Sequence, residues 1–283
     1  MYCFVEVEKM KKLLILTLLL GVASSAWASN DWLQTNTSND WFLAANWSLG
    51  EIPSQTNLTN VRTFQTHMGA PIIIDSGDAV AHQLEIGGDS QALIPGNMQS
   101  ITLNGGSITT TDYFRVGASS SSNRWGAFYM NAGTVNVGGY MSVCQGGGST
   151  NTHGYVYMTG GTINVGGNLI MPNSAPGTGE IYISGGTINV AGLLQMRPAG
   201  TTVVNGDTPT TVLDITGSGQ VILAGDQVDQ VLAYRDNGWI LTGGEEFLDE
   251  YVTFDGTNTT LMVPEPATLC ILAIGAFGLI RRK

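Results

Sequence analysis

Three stretches of this chain are near-copies of one another. Residues 127–145 read AFYMNAGTVNVGGYMSVCQ, residues 155–173 read YVYMTGGTINVGGNLIMPN, and residues 180–198 read EIYISGGTINVAGLLQMRP. An earlier copy, ITLNGGSITTTDYFRVG, runs from Ile101 to Gly117. A degraded copy with one extra residue, LDITGSGQVILAGD, runs from Leu213 to Asp226, and a faint one, IIIDSGDAVAHQLEIG, surrounds Gly77. The marker glycines Gly77, Gly106, Gly133, Gly161, Gly186 and Gly219 are spaced by 29, 27, 28, 25 and 33 residues. A unit this short cannot bury an apolar face alone and has to stack on its neighbours. A period in this range, carried by strand-forming residues, points to a solenoid.

Within each unit the apolar residues alternate, which is the period of a strand with one buried face. Ahead of the marker stand Ile101 and Leu103, Phe128 and Met130, Val156 and Met158, and Ile181 and Ile183. Behind it stand Ile108, then Val135 and Val137, Ile163 and Val165, and Ile188 and Val190. A third set follows: Phe114 and Val116, Met141 and Val143, Leu169 and Met171, Leu194 and Met196. Each unit therefore offers three short strands, with glycines where the chain must turn. The expected fold is all-β, a right-handed parallel β-helix of about six coils over residues 71–225. A β-sandwich, the main rival, needs antiparallel hairpins and gives no reason for equivalent residues to recur at one phase.

An open stack exposes strand edges, so both ends need covers. Residues 226–262 are expected to cap the C-terminal end. This cap begins with a helix over Asp226–Asn237, where Val228, Val231, Leu232 and Ala233 fall at helical spacing and Gly238 is a stop signal. Short strands are expected from Trp239 to Val263. Residues 29–70, with Trp32, Trp41 and Trp47, are expected to cap the other end.

Charge bears on partners. Charged residues make up 12% of the chain, against about 25% in an average globular protein. Between Ser29 and Val263 the basic residues are Arg62, Arg115, Arg124, Arg197 and Arg235, against 19 carboxylates, a net charge of −14. Such a body repels nucleic acid, which needs clustered Lys and Arg, and suits a solvated extracellular surface. Of Cys3, Cys144 and Cys270, one lies in the body, so the fold is expected to rest on its core and ladders rather than on disulfides.

Both ends carry signals. Met10-Lys11-Lys12 leads into an apolar run from Leu13 to Ala23, broken by Thr17 and Gly21. Ala26 and Ala28 then stand where a signal peptidase reads small residues. Residues 1–28 are expected to be a signal peptide, translated from Met10 and cut after Ala28. At the other end Pro264-Glu265-Pro266 precedes an apolar stretch from Thr268 to Ile280 and a terminal Arg281-Arg282-Lys283. The basic trio is expected to stay cytoplasmic. The apolar stretch is shorter than the ~20 residues of a comfortable spanning helix. This order of parts, over residues 263–283, resembles the PEP-CTERM sorting signal, a tail also described as an ice-binding protein C-terminal domain. The resemblance implies a short transmembrane helix, an intermediate anchored in the inner membrane, and processing near Pro264-Glu265-Pro266 by an exosortase-type enzyme. It further implies a cell-surface or extracellular destination and an association with exopolysaccharide. Asn46-Trp47-Ser48-Leu49-Gly50-Glu51-Ile52-Pro53 in turn resembles the opening of many exported repeat proteins.

Parallel β-helices host polysaccharide lyases and glycosidases, so catalysis has to be weighed. Glycoside hydrolysis uses two carboxylates about 5–9.5 Å apart. On a solenoid these would occupy outward positions of neighbouring coils. The outward positions are Thr102, Tyr129, Tyr157 and Tyr182 on the first strand and Thr109, Asn136, Asn164 and Asn189 on the second, and none is acidic. His67, His82 and His153 lack metal-ligand spacing. No catalytic residue, metal or cofactor is expected, and the chain reads as a non-enzyme. Asp75-Ser76-Gly77-Asp78 reads as a turn, Cys144 as a small structural residue at a corner, and Glu245-Glu246 and Asp249-Glu250 as a solvated loop face. The candidate ligand face is the tyrosine row Tyr129, Tyr157, Tyr182 with the amide row Asn136, Asn164, Asn189, although both rows also suit a solvated sheet that binds nothing. The expected function is an exported surface or biofilm-matrix structural protein. The alternatives are a carbohydrate- or ice-binding module and a polysaccharide-active enzyme.

Overall fold

The computed structural model describes residues 29–33, 38–54, 59–63, 71–89, 98–119, 124–146, 152–172, 177–198 and 210–264. The signal peptide expected over residues 1–28 and the sorting helix expected after Pro264 lie outside the described residues. Among the described residues no helix is long and apolar enough to cross a membrane.

The three apolar pairs of each repeat become three strands, each pairing in parallel with its equivalent one coil away, which makes a β-solenoid of about six turns. Sheet I contains Ile72–Ile74, Gln99–Leu103, Arg124–Met130, Thr152–Met158, Gly177–Ile183, Thr211–Ile215 and Ile240–Thr242. Sheet II contains Asp78–Ala81, Ser107–Thr110, Thr134–Val137, Thr162–Val165, Thr187–Val190 and Gln220–Ala224. Sheet III contains Gln83–Ile86, Phe114–Ser119, Met141–Gly146, Leu169–Met171 and Leu194–Met196, preceded by rungs at Ser29–Asp31 and Asn60–Arg62. The register is in phase: Phe128, Val156, Ile181 and Leu213 are successive partners, as are Val135, Ile163, Ile188 and Val221. All eight are 0% exposed. Each such side chain contributes about 1.5–3 kcal/mol by leaving water, which is the main force holding coil on coil.

The corner between sheets I and II is a column of glycines, Gly106, Gly133, Gly161 and Gly186, with φ of 71°, 89°, 84° and 87°. This left-handed backbone is cheap for glycine alone. The last coil departs from the expected marker. Ile215 pairs with Ile183 and Gln220 with Thr187, so residues 216–219 span a corner that residues 184–186 span one coil earlier. The extra residue moves the left-handed position from the expected Gly219 to Gly217, at φ 55°.

Three sheet I strands are longer than the alternation predicts, seven residues each at Arg124–Met130, Thr152–Met158 and Gly177–Ile183. Their extra inward residues are Gly126, Gly154 and Gly179, which carry no apolar side chain to announce them. The reason is space: a Cβ on Gly154 would lie 2.3 Å from the Val116 carbonyl oxygen of sheet III.

Each sheet ends differently at the C-terminal side. Sheet I closes with Ile240–Thr242 and an antiparallel Glu245–Glu246. Sheet II closes with an antiparallel hairpin, Asn258–Met262 and Val252–Phe254. Sheet III is covered by helix α1, Val228–Asp236. Of the four apolar residues expected to seat this helix, Val231 is buried while Ala233 is exposed. Polar groups supply much of the rest. The Gln227 carboxamide accepts from the Leu194 N–H at 3.1 Å, and the Gln230 amide donates to the Leu194 carbonyl at 3.1 Å, so side chains satisfy the open strand edge. Asp249, expected in a solvated loop, forms an ion pair with Arg235 of the helix. At the N-terminal side Trp32, Trp41 and Trp47 are at most 1% exposed, and Trp47 packs edge-on against both others at 5.0 and 4.7 Å. The Ile73 N–H donates to the Asn39 carbonyl at 2.8 Å, which covers the first edge of sheet I.

Candidate functional site

The outward tyrosines stand in register, with Thr102, Tyr129, Tyr157, Tyr182 and Asp214 as successive partners on sheet I. Tyr129 and Tyr157 have ring centroids 5.2 Å apart with planes 10° from parallel; Tyr157 and Tyr182 are 5.3 Å apart at 6°. The rungs themselves are about 4.8 Å apart, so the rings lie offset-stacked along the axis. Tyr157 therefore has one face against Tyr129 and the other against Tyr182. A sugar ring that docks on an aromatic platform needs a free face, and the middle of this row offers ring edges and hydroxyls instead. Burial, then the neighbouring tyrosine and carboxylate charges, raises the Tyr157 phenol above its ordinary pKa, and burial with the Glu180 hydrogen bond raises that of Tyr182.

The longer sheet I strands add groups that the sequence pattern missed. Trp125 packs on His153 at 4.2 Å, and Tyr155 lies 6.3 Å from Tyr157. Glu180 accepts from the Tyr182 hydroxyl at 2.7 Å and from the Thr210 hydroxyl. Asp214 accepts from the Gly243 and Gly244 N–H groups at 2.6 and 3.0 Å. The two carboxylates nearest Tyr182 are thus both engaged.

The amide row on sheet II is a ladder. Asn164 Nδ2 donates to Asn136 Oδ1 at 2.9 Å, and Asn189 Nδ2 donates to Asn164 Oδ1 at 2.9 Å. It runs along a shallow groove of 710 Å³ that begins beside Thr109 and ends at Ile222, Ala224 and Asn258. The groove's other wall is the corner formed by Gly138, Gly166 and Ala191. A second polar ladder, also missed, climbs the opposite corner: Asn131 Nδ2 to Asn104 Oδ1 at 2.8 Å, and Asn104 Nδ2 to Asp75 Oδ1 at 2.8 Å. Asp78 accepts from the Ser107 hydroxyl at 2.7 Å. Asp75 and Asp78 flank the turn at Gly77, φ 85°, and both serve the coil above.

Sheet III carries a third cluster. The Arg115 guanidinium lies 3.4 Å from the Tyr113 ring centroid and pairs with Glu85 at 2.7 Å. It also donates to the Tyr140 hydroxyl at 2.9 Å. Its donors are aimed at the protein, so this arrangement fastens three coils rather than presenting a cation. Among the described residues no group of three or more His, Cys, Asp or Glu side chains is placed to hold a metal ion.

Cys144 was expected at a corner. It lies inside the strand Met141–Gly146, fully buried, with φ +65°, the one non-glycine in the left-handed region among the described residues. In the previous coil Gly117 takes this place at φ +69°, between the pairs Val143–Val116 and Gln145–Ala118. The Cys144 thiol donates to the Thr152 carbonyl at 3.1 Å, and burial pushes it up from 9.0 to about 12. The thiolate is the reactive form, so native Cys144 is expected to resist a thiol reagent at pH 8 and to react on denaturation. Peptide mapping separates it from Cys3 and Cys270, and prompt native labelling would contradict this burial. The folded state holds this proton more tightly than the unfolded chain. The contribution to stability is therefore present below the ordinary thiol value and fades as pH rises from 9.0 toward about 12.

Of the sorting and cleavage residues, Ala26, Ala28, Glu265, Pro266, Arg281, Arg282 and Lys283 lie outside the described residues, and Pro264 is the last residue within them. No curated protein and no solved structure matches the chain. Residues 263–283 match the PEP-CTERM protein-sorting motif, so this β-solenoid carries at its end a signal that implies an exported protein sorted by an exosortase-type enzyme.

Proposed function

We propose that the protein is a non-catalytic structural element of the cell surface or extracellular matrix. In this reading it is exported behind a signal peptide cut by signal peptidase and held at the inner membrane through its tail. An exosortase-type enzyme then processes it, and it is displayed among exopolysaccharide. The sorting motif supports the route. The structural role rests chiefly on one observation: the outward rows tie neighbouring coils to one another. Asn136, Asn164 and Asn189 bond to one another, the tyrosines stack on one another, and Glu85, Glu180 and Asp214 each hold hydrogen bonds. A general acid or base has to be free to meet a substrate proton, and a nucleophile needs a base aimed at it. A scaffold needs neither.

Cell fractionation with sequencing of both termini tests this route. The expected product starts at Ser29, has lost the residues after the Pro264-Glu265-Pro266 region, and is found at the surface or in the medium. An intact chain that starts at Met1 or Met10 and stays soluble in the cytoplasm would sink the proposal.

A further inference from the structure

The groove along the amide ladder has features that the scaffold role does not require. We infer that it is a binding site for an uncharged, hydroxyl-rich linear polymer, a neutral glycan strand laid parallel to the solenoid axis. The identification of the glycan as an extracellular one rests on the export reading; the site itself does not.

The chemistry of the lining leads there. An amide has two N–H donors and two acceptor lone pairs. Asn164 gives one N–H to Asn136 and accepts one from Asn189, which leaves one donor and one acceptor. The ladder bonds hold the amide in place, so little rotamer freedom is lost on binding. A hydroxyl is likewise one donor with spare acceptor capacity, and a row of them meets a row of half-used amides without stranding any group. The positions Thr109, Asn136, Asn164, Asn189 and Ile222 are successive partners on five coils. At about 4.8 Å per rung they span roughly 19 Å. A single small molecule would leave most of that length unused, whereas a linear polymer would occupy it.

The groove's residues exclude other ligands. None of them is Asp, Glu, Lys or Arg. A polyanion would meet a body of net charge −14 and no basic side chain in the groove to receive it. A polycation would find no carboxylate in the groove. The apolar flank at Ala191, Ile222 and Ala224, which are exposed or half-buried, suits the C–H face of a sugar ring beside its hydroxyls. An extended peptide would have to cross the strands at right angles, where it cannot pair with their backbone. The volume of 710 Å³ lies in the ordinary range for ligand sites of about 300–1,000 Å³. The tyrosine row competes poorly as a platform, because the faces of Tyr157 are covered by its neighbours.

The test is affinity electrophoresis of the full chain in mild detergent through gels holding a neutral β-glucan, a neutral α-glucan, or a polyuronate. At least one neutral glucan is expected to retard the protein, and the polyuronate is not. Asn164→Leu removes two ladder bonds and the ligand-facing amide, and should weaken retardation about tenfold or more, the worth of one or two lost hydrogen bonds. Tyr157→Phe should leave retardation unchanged. Amide NMR of the unmutated chain guards against a folding defect in Asn164→Leu: the bound glucan should shift the Asn136, Asn164 and Asn189 side-chain signals. Retardation by neither neutral glucan, retardation untouched by Asn164→Leu, or binding that leaves those signals unmoved overturns the inference. Failure of the export reading would appear in fractionation and leave this binding measurement unaffected.

Discussion

Replacing Ile163 by Asp is expected to destabilise the protein by at least about 4 kcal/mol, and to do so wherever along the stack unfolding begins. The side chain is 0% exposed and lies between Val135 and Ile188 in the column that runs through sheet II. The change removes a buried aliphatic group, which costs about 2–5 kcal/mol. It also places a carboxylate where no donor can reach it, and burial of an unpaired charge costs several kcal/mol more unless it protonates. Neighbouring coils hold one another through such columns, so the damage falls on two interfaces at once. Thr162→Asp is the control one residue away. Its side chain points outward, and Asp78 already occupies the same row three coils below, so it should cost under about 1 kcal/mol. Denaturant melts followed by circular dichroism would compare the two. Equal losses would mean that the alternation does not separate inside from outside and that the solenoid is wrong.

How much of this was legible follows from what each signal encodes. Alternation reports which side chains leave water, so Val135, Ile163 and Ile188, or Phe128, Val156 and Ile181, could be placed inward and in register from the sequence alone. The sequence is silent where the inside of the strand is glycine. Gly126, Gly154 and Gly179 continue sheet I inward without an apolar residue, which hid Trp125, His153 and Tyr155 on the outward side. Register also says nothing of ring orientation. Tyr129, Tyr157 and Tyr182 fall in a row as expected, but their mutual stacking, which covers the faces a sugar would need, depends on side-chain torsions. The same limit applies to polar covers. Helical spacing located α1, yet Gln227 and Gln230 hold it on the open edge of sheet III through amide bonds, and no hydrophobic period marks those. Asn104 and Asn131 find their partners 27 to 29 residues away, a separation that no local pattern marks.

Gly161→Ala is expected to cost about 3 kcal/mol or more, while Gly238→Ala costs about 1–2 kcal/mol. Both glycines sit in the left-handed region, at φ 84° and 72°, where an L side chain costs about 1–2 kcal/mol. They differ in their surroundings. A Cβ on Gly238 meets nothing within 4 Å, whereas one on Gly161 would lie 2.7 Å from the Gly133 carbonyl oxygen and 3.0 Å from the Ala132 carbonyl carbon. Those backbone atoms are not free to retreat, because the Gly133 carbonyl accepts from the Thr162 N–H at 3.0 Å. Relief requires the coils to part, which opens the Val135–Ile163 contact beside the corner or strains the strand pairing. The excess of about 2 kcal/mol over Gly238→Ala therefore measures how tightly one coil rests on the next, apart from backbone conformation. Thermal or denaturant melts of the two variants supply the comparison. Equal losses would show that the glycine column is set by torsion alone; a larger loss at Gly161 ties it to coil spacing, and so to the rung separation along which Asn136, Asn164 and Asn189 present their amides.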